Sequence, residues 1–140
     1  MKIADSLLQG HVFNFSTLDH LLHQQGFVRG AMWDWDYAAY DYALSKSQIG
    51  FYTYLRICVD SVKGHIEESD CQVKVTDVFV TEAKYHSGLD LDKEVDVKHE
   101  KEAQRLLQIV ADKAGLKGDI KFRSAEDKDK QRHVGSRKKH

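Results

Sequence analysis

Phe51-Tyr52-Thr53-Tyr54-Leu55-Arg56-Ile57-Cys58-Val59 is the stretch that decides the fold. Phe51, Leu55, Ile57 and Val59, with Thr53 among them, recur every second residue, and Tyr52, Tyr54, Arg56 and Cys58 fill the alternate places. Successive side chains of a strand point to opposite faces. The spacing therefore predicts a strand with one apolar face and one amphipathic, tyrosine-bearing face. A strand of this kind belongs in the middle of a sheet.

Upstream, Met32-Trp33-Asp34-Trp35-Asp36-Tyr37 also alternates, which puts both indoles and Tyr37 on one face, read as the core face, and Asp34 and Asp36 on the other. Tyr40, Tyr42 and Leu44 then continue at even positions, so a bulge or tight turn is expected near Tyr37-Ala38-Ala39. Downstream, Cys71 to Tyr85 reads as a long strand, apolar at Cys71, Val73, Val75, Phe79 and Ala83. Val78 and Val80 fall out of phase, which predicts a bend near Asp77. Short polar links at 45–48 and 68–70 favour an antiparallel meander. Leu7 to Phe13 and Asp119 to Arg123 read as edge strands.

Two helices complete the pattern. Ser16, followed by Leu18, Leu21 and Leu22 and closed by Gly26, predicts a helix over 17–25. Ala103, Leu106, Leu107, Val110, Ala111 and Ala114 fall on one stripe, with Lys113 in the last turn and Gly115 as the stop. The expected fold class is α+β: one mostly antiparallel sheet of about five or six strands packed by two amphipathic helices. Residues 1–123 read as one globular domain and 124–140 as a basic, unstructured tail.

The 140 residues (16.1 kDa) are 41% hydrophobic and 31% charged, which excludes a fibrous or wholly disordered chain. No stretch approaches the roughly 18 apolar residues of a spanning helix, and the first residues lack the apolar run of a signal peptide. The expectation is a soluble cytoplasmic protein with no membrane association. The net charge of −1 conceals an asymmetry: residues 1–116 hold 12 Lys/Arg against 18 Asp/Glu, and 117–140 hold 9 against 4. An acidic body repels phosphate and argues against nucleic acid as the partner. Cys58 and Cys71 lie in strand-like runs and read as small buried hydrophobes of a reducing compartment.

Three constellations carry candidate chemistry. Asp34 and Asp36 share a strand face about 7 Å apart, with Asp41 nearby. Such carboxylates suit a divalent ion or general acid/base work, and a solvated polar face is their ordinary role. His20 and His23, at i and i+3, lack a third ligand and read as exposed helix positions. Tyr52, Tyr54 and Arg56, with Tyr40 and Tyr42 near in sequence, suit a self-association face, because Tyr and Arg are enriched at interface centres. No motif asks for a cofactor or a metal. The leading expectation is a non-enzymatic module that binds protein or a small ligand and self-associates. The alternative is a metal-dependent enzyme using Asp34, Asp36 or Asp41.

Several segments together resemble the YugN-like family of small proteins from Bacillus and its relatives. They are 8–13 (Leu-Gln-Gly-His-Val-Phe), 26–37 (Gly-Phe-Val-Arg-Gly-Ala-Met-Trp-Asp-Trp-Asp-Tyr), 40–42 (Tyr-Asp-Tyr), 54–56 (Tyr-Leu-Arg) and 85–90 (Tyr-His-Ser-Gly-Leu-Asp). The resemblance spans about residues 7 to 115. It implies a compact α+β domain and brings no catalytic residue or cofactor with it.

Overall fold

In chain order the elements are β1 (Lys2–Asp5), β2 (Val12–Asn14), α1 (Phe15–Gln24), β3 (Val28–Arg29), β4 (Tyr37–Lys46), β5 (Phe51–Lys63), β6 (Gln72–Lys84), β7 (Gly88–Asp90), α2 (Val97–Lys113), β8 (Lys121–Ser124) and α3 (Asp127–His133). They come from a computed structural model that describes residues 1–30, 35–46, 51–84, 88–90 and 95–133. The fold class is α+β. The strands make one open sheet in the order β3-β4-β5-β6-β1-β8, with β2 and β7 also pairing β6, and every pairing given is antiparallel.

The register of β4, β5 and β6 decides what each face carries. Asp41 faces Arg56 and Ala39 faces Cys58 on one side, while Tyr40 faces Ile57 and Tyr42 faces Leu55 on the other. Between β5 and β6 the pairing passes from Cys58–Asp77 to Val59–Val75, leaving Thr76 as an extra residue whose hydroxyl donates to the Cys58 carbonyl at 3.3 Å. This is the bend expected near Asp77. It turns Val78 and Val80 onto the face of Val73 and Val75, where all four are buried.

That face is the main core. Leu55, Ile57 and Val59 meet Leu18 and Leu22 of α1 and Ala103, Leu106, Leu107, Val110 and Ala111 of α2 in one cluster. Each large apolar side chain so buried contributes about 1.5–3 kcal/mol. Asn14, rather than Ser16, caps α1: its side chain accepts from the Thr17 N–H at 3.2 Å. Asp96 caps α2 through the Lys98 N–H at 3.0 Å.

The opposite face holds a smaller cluster of Met1, Tyr37, Ala39, Cys58 and Phe79, with Ile3 and Ala125 against it. Cys58 and Cys71 are buried free thiols.

Several features depart from the sequence pattern. Trp35 stands 57% exposed in the turn before β4, so it is not a core residue; the period-two pattern runs on through the turn without a strand beneath it. Trp33 lies outside the described residues. The turn expected near Tyr37-Ala38-Ala39 lies at residues 35–36, directly before β4, which runs unbroken through Ala38 and Ala39; the irregularity within β4 lies at Leu44, between the pairs Ala43–Tyr54 and Ser45–Thr53. Beyond the edge strands expected, β1 pairs both β6 and β8. Of residues 124–140, Ser124 ends β8 and Asp127–His133 forms α3, anchored where Arg123 donates to Asp129 at 2.7 and 3.0 Å.

Candidate functional site

On the sheet face turned away from α1 and α2, Tyr52, Tyr54, Arg56 and Asp41 are half-buried neighbours. Arg56 and Asp41 oppose one another across β5 and β4 and form a two-pronged pair, Nε to Oδ1 at 2.7 Å and Nη2 to Oδ2 at 2.9 Å. The guanidinium lies 5.4 Å from the centre of the Tyr54 ring. Burial alone would lower the Arg56 pKa, but the hydrogen bonds and charge of Asp41 outweigh it and hold the group above its ordinary range. Burial also raises the Tyr54 hydroxyl, against the pull of Arg56.

Tyr40 and Tyr42 sit on the other face. Tyr40 is fully buried and donates to Asp19 Oδ1 at 2.7 Å. Tyr42 packs on Phe27, with ring centres 5.6 Å apart, and against Gly26 (φ 94°), where an added Cβ would lie 3.0 Å from its ring. The five residues expected at one interface are thus divided. Antiparallel pairing of Asp41 with Arg56 puts the odd positions of β4 beside the even positions of β5.

The carboxylates are divided too. Asp41 is committed to Arg56 in the body of β4, while Asp36 sits in the preceding turn, its side chain 68% exposed and 3.3 Å from His65 Nδ1. Asp34 lies outside the described residues. Among the described residues no three His, Cys, Asp or Glu side chains converge as metal ligands. His20 and His23 are exposed on α1.

A second locus lies where the turn before β4 meets the β5–β6 turn. The Ile66 N–H donates to the Trp35 carbonyl at 2.7 Å and the Ser61 N–H to the Asp36 carbonyl at 2.8 Å. Trp35, His65, Ile66, Glu67 and Glu68 line an open cavity of about 330 Å³. Glu67 adopts φ 82°, a left-handed conformation unusual for a side chain of its size, and accepts from Arg29 Nη2 at 2.8 Å. Arg29 Nη1 is buried without a hydrogen bond and stands 3.8 Å from Asp19 Oδ1. The guanidinium carbon lies 5.2 Å from the Phe15 ring centre. Nothing in the local pattern joins Arg29 to Glu67, which are 38 positions apart. The one legible signal was a tryptophan flanked by aspartates.

A model of the YugN-like family matches residues 3–117. The uncharacterized protein YugN of Bacillus subtilis (strain 168) is 25% identical over 85 residues, 61% of this chain and 62% of its own. The chain thus spans about three fifths of the length of that curated relative. The crystal structure of the uncharacterized conserved protein YugN from Geobacillus kaustophilus HTA426 superposes with a TM-score of 0.64 at 23% identity, covering 75% of this chain and 86% of that one. This likeness shows the fold.

Proposed function

We propose, for a chain that belongs to the YugN-like family, a non-enzymatic role as a cytoplasmic binding module that pairs with a second copy of itself through the face of β4 and β5 turned away from the helices. One observation carries the reading. The Arg56–Asp41 pair sits beside Tyr52 and Tyr54 on the face that α1 and α2 leave alone. Tyrosine and arginine are the residues that dominate interface centres. Because Asp41 neutralises Arg56 within each copy, two such faces meet across a twofold axis without like-charge repulsion. Pre-pairing also fixes the guanidinium, which lowers the ordering entropy lost on association. No helix is long and apolar enough to cross a membrane among the described residues.

Sedimentation equilibrium over a micromolar series tests the reading. The wild-type chain is expected as a dimer, and the double variant Tyr52→Ser/Tyr54→Ser as a folded monomer at the same concentrations. A wild-type chain that stays monomeric across the series overturns it.

A further inference from the structure

We propose that the cavity between Trp35 and the β5–β6 turn is a binding site for a small organic cation, an alkylammonium whose methylated, charged head rests on the indole with Glu67 and Glu68 beside it. The site is separate from the β4–β5 face and does not depend on self-association.

Trp35 is a large aromatic left 57% exposed, against a floor made by Ile66, which is 1% exposed. Large exposed aromatics set in a concavity mark recognition surfaces rather than cores. An indole face attracts cations through its quadrupole and has no such attraction for anions. The rim supplies the complementary charge: Glu67 and Glu68 line the cavity, and Asp36 borders it through His65. Arg29 neutralises Glu67, and Glu68, whose carboxylate accepts a backbone N–H, leaves its negative charge on the lining among the described residues. Phosphate and carboxylate ligands are repelled there.

The walls are held before a ligand arrives. Ile66 N–H on the Trp35 carbonyl locks the two turns together, and Glu68 Oε1 accepts the His65 N–H at 2.6 Å. Arg29 Nη2 donates to the Glu67 carboxylate at 2.8 Å, so that side chain is held as well. A volume of about 330 Å³ admits a compact ammonium and not a folded chain segment.

Choline is the probe, and its neutral isostere 3,3-dimethylbutan-1-ol the control for shape without charge. In a proton–nitrogen correlation titration of the full chain, choline is expected to shift the Trp35 indole N–H and the amides of 65–68 saturably, at constant ionic strength. The neutral alcohol is expected to bind about tenfold more weakly, the worth of one cation–π contact. Trp35→Ala is expected to abolish the response. Glu68→Gln keeps an oxygen to accept the His65 N–H but removes the charge, and is expected to weaken choline while sparing the alcohol. Absence of saturation at millimolar choline, equal affinity for the two probes, or an unchanged response in Trp35→Ala each overturns the site.

Discussion

Tyr40, in the body of β4, donates its hydroxyl to Asp19 of α1 at 2.7 Å, tying the sheet to the first helix through the buried layer. Tyr40→Phe removes the donor and keeps the ring. It is expected to cost about 1–2 kcal/mol in urea denaturation, because Asp19 is still partly open to water. Burial first, and then the Asp19 bond, lifts the Tyr40 hydroxyl far above its ordinary value of 10.0. The folded state keeps this proton where the unfolded chain releases it, so stability falls as pH rises above 10.0. The Phe variant is expected to show a shallower fall over the same range.

Cys58 offers a second alkaline readout. Burial pushes its thiol up from 9.0 to about 11, against the Tyr37 hydroxyl and Arg56. The thiolate is the reactive form, so iodoacetamide is expected to leave Cys58 unmodified in the folded chain and to label it on unfolding. Cys58 also subtracts stability between pH 9.0 and about 11, where only the unfolded thiol ionises. Peptide mapping after timed alkylation checks the first expectation, and the pH dependence of Cys58→Ala the second.

At the acid end the sensitive joint is Arg123–Asp129. Hydrogen bonds from Arg123, then from the Glu126 N–H, hold the Asp129 carboxyl well below the usual carboxylate range. Its contribution is present above the unfolded value near 3.8 and is lost as pH falls below it. Asp129→Asn is expected to free α3 at neutral pH, at a cost of about 1 kcal/mol. Hydrogen exchange should show faster amides in 127–133 with the remaining sheet unchanged.

Leu107 and Trp35 make a paired test of where the core lies. Leu107→Ala removes a fully buried side chain of α2 and is expected to cost about 2–5 kcal/mol. Trp35→Ala, at 57% exposure, is expected to stay within about 0.5 kcal/mol of wild type. Guanidinium denaturation of both variants settles the comparison.

The legible parts of this chain are those whose signal is local. The stripe of α2, the alternation of β5 and the phase change at Asp77 each sit within one element, and each is where the spacing puts it. The candidate site was legible only in its residue types. Whether Tyr40 and Tyr42 join Tyr52 and Tyr54 depends on the parity of the β4–β5 register, and a one-residue slip reverses it. Trp35 misled because alternation in a turn looks like alternation in a strand. Arg29 of β3 and Glu67 of the β5–β6 turn meet only in the folded chain. β1 leaves no signal in the sequence because Lys2-Ile3-Ala4-Asp5 has two apolar residues and no room for a period to repeat.

The position of β1 also sets a schedule for biosynthesis. Lys2 pairs with Val80 on one side and with Ser124 on the other. A nascent chain leaving the ribosome can dock its first strand only after β6 has emerged, and the outer rim of that strand stays bare until β8 follows. Through that interval the growing polypeptide displays unsatisfied amides and carbonyls beside a half-built sheet, the state in which chains most readily recruit one another. Slowing translation between β6 and β8 would lengthen that exposure, so its harm would register as aggregated product and not as lost stability of the finished fold.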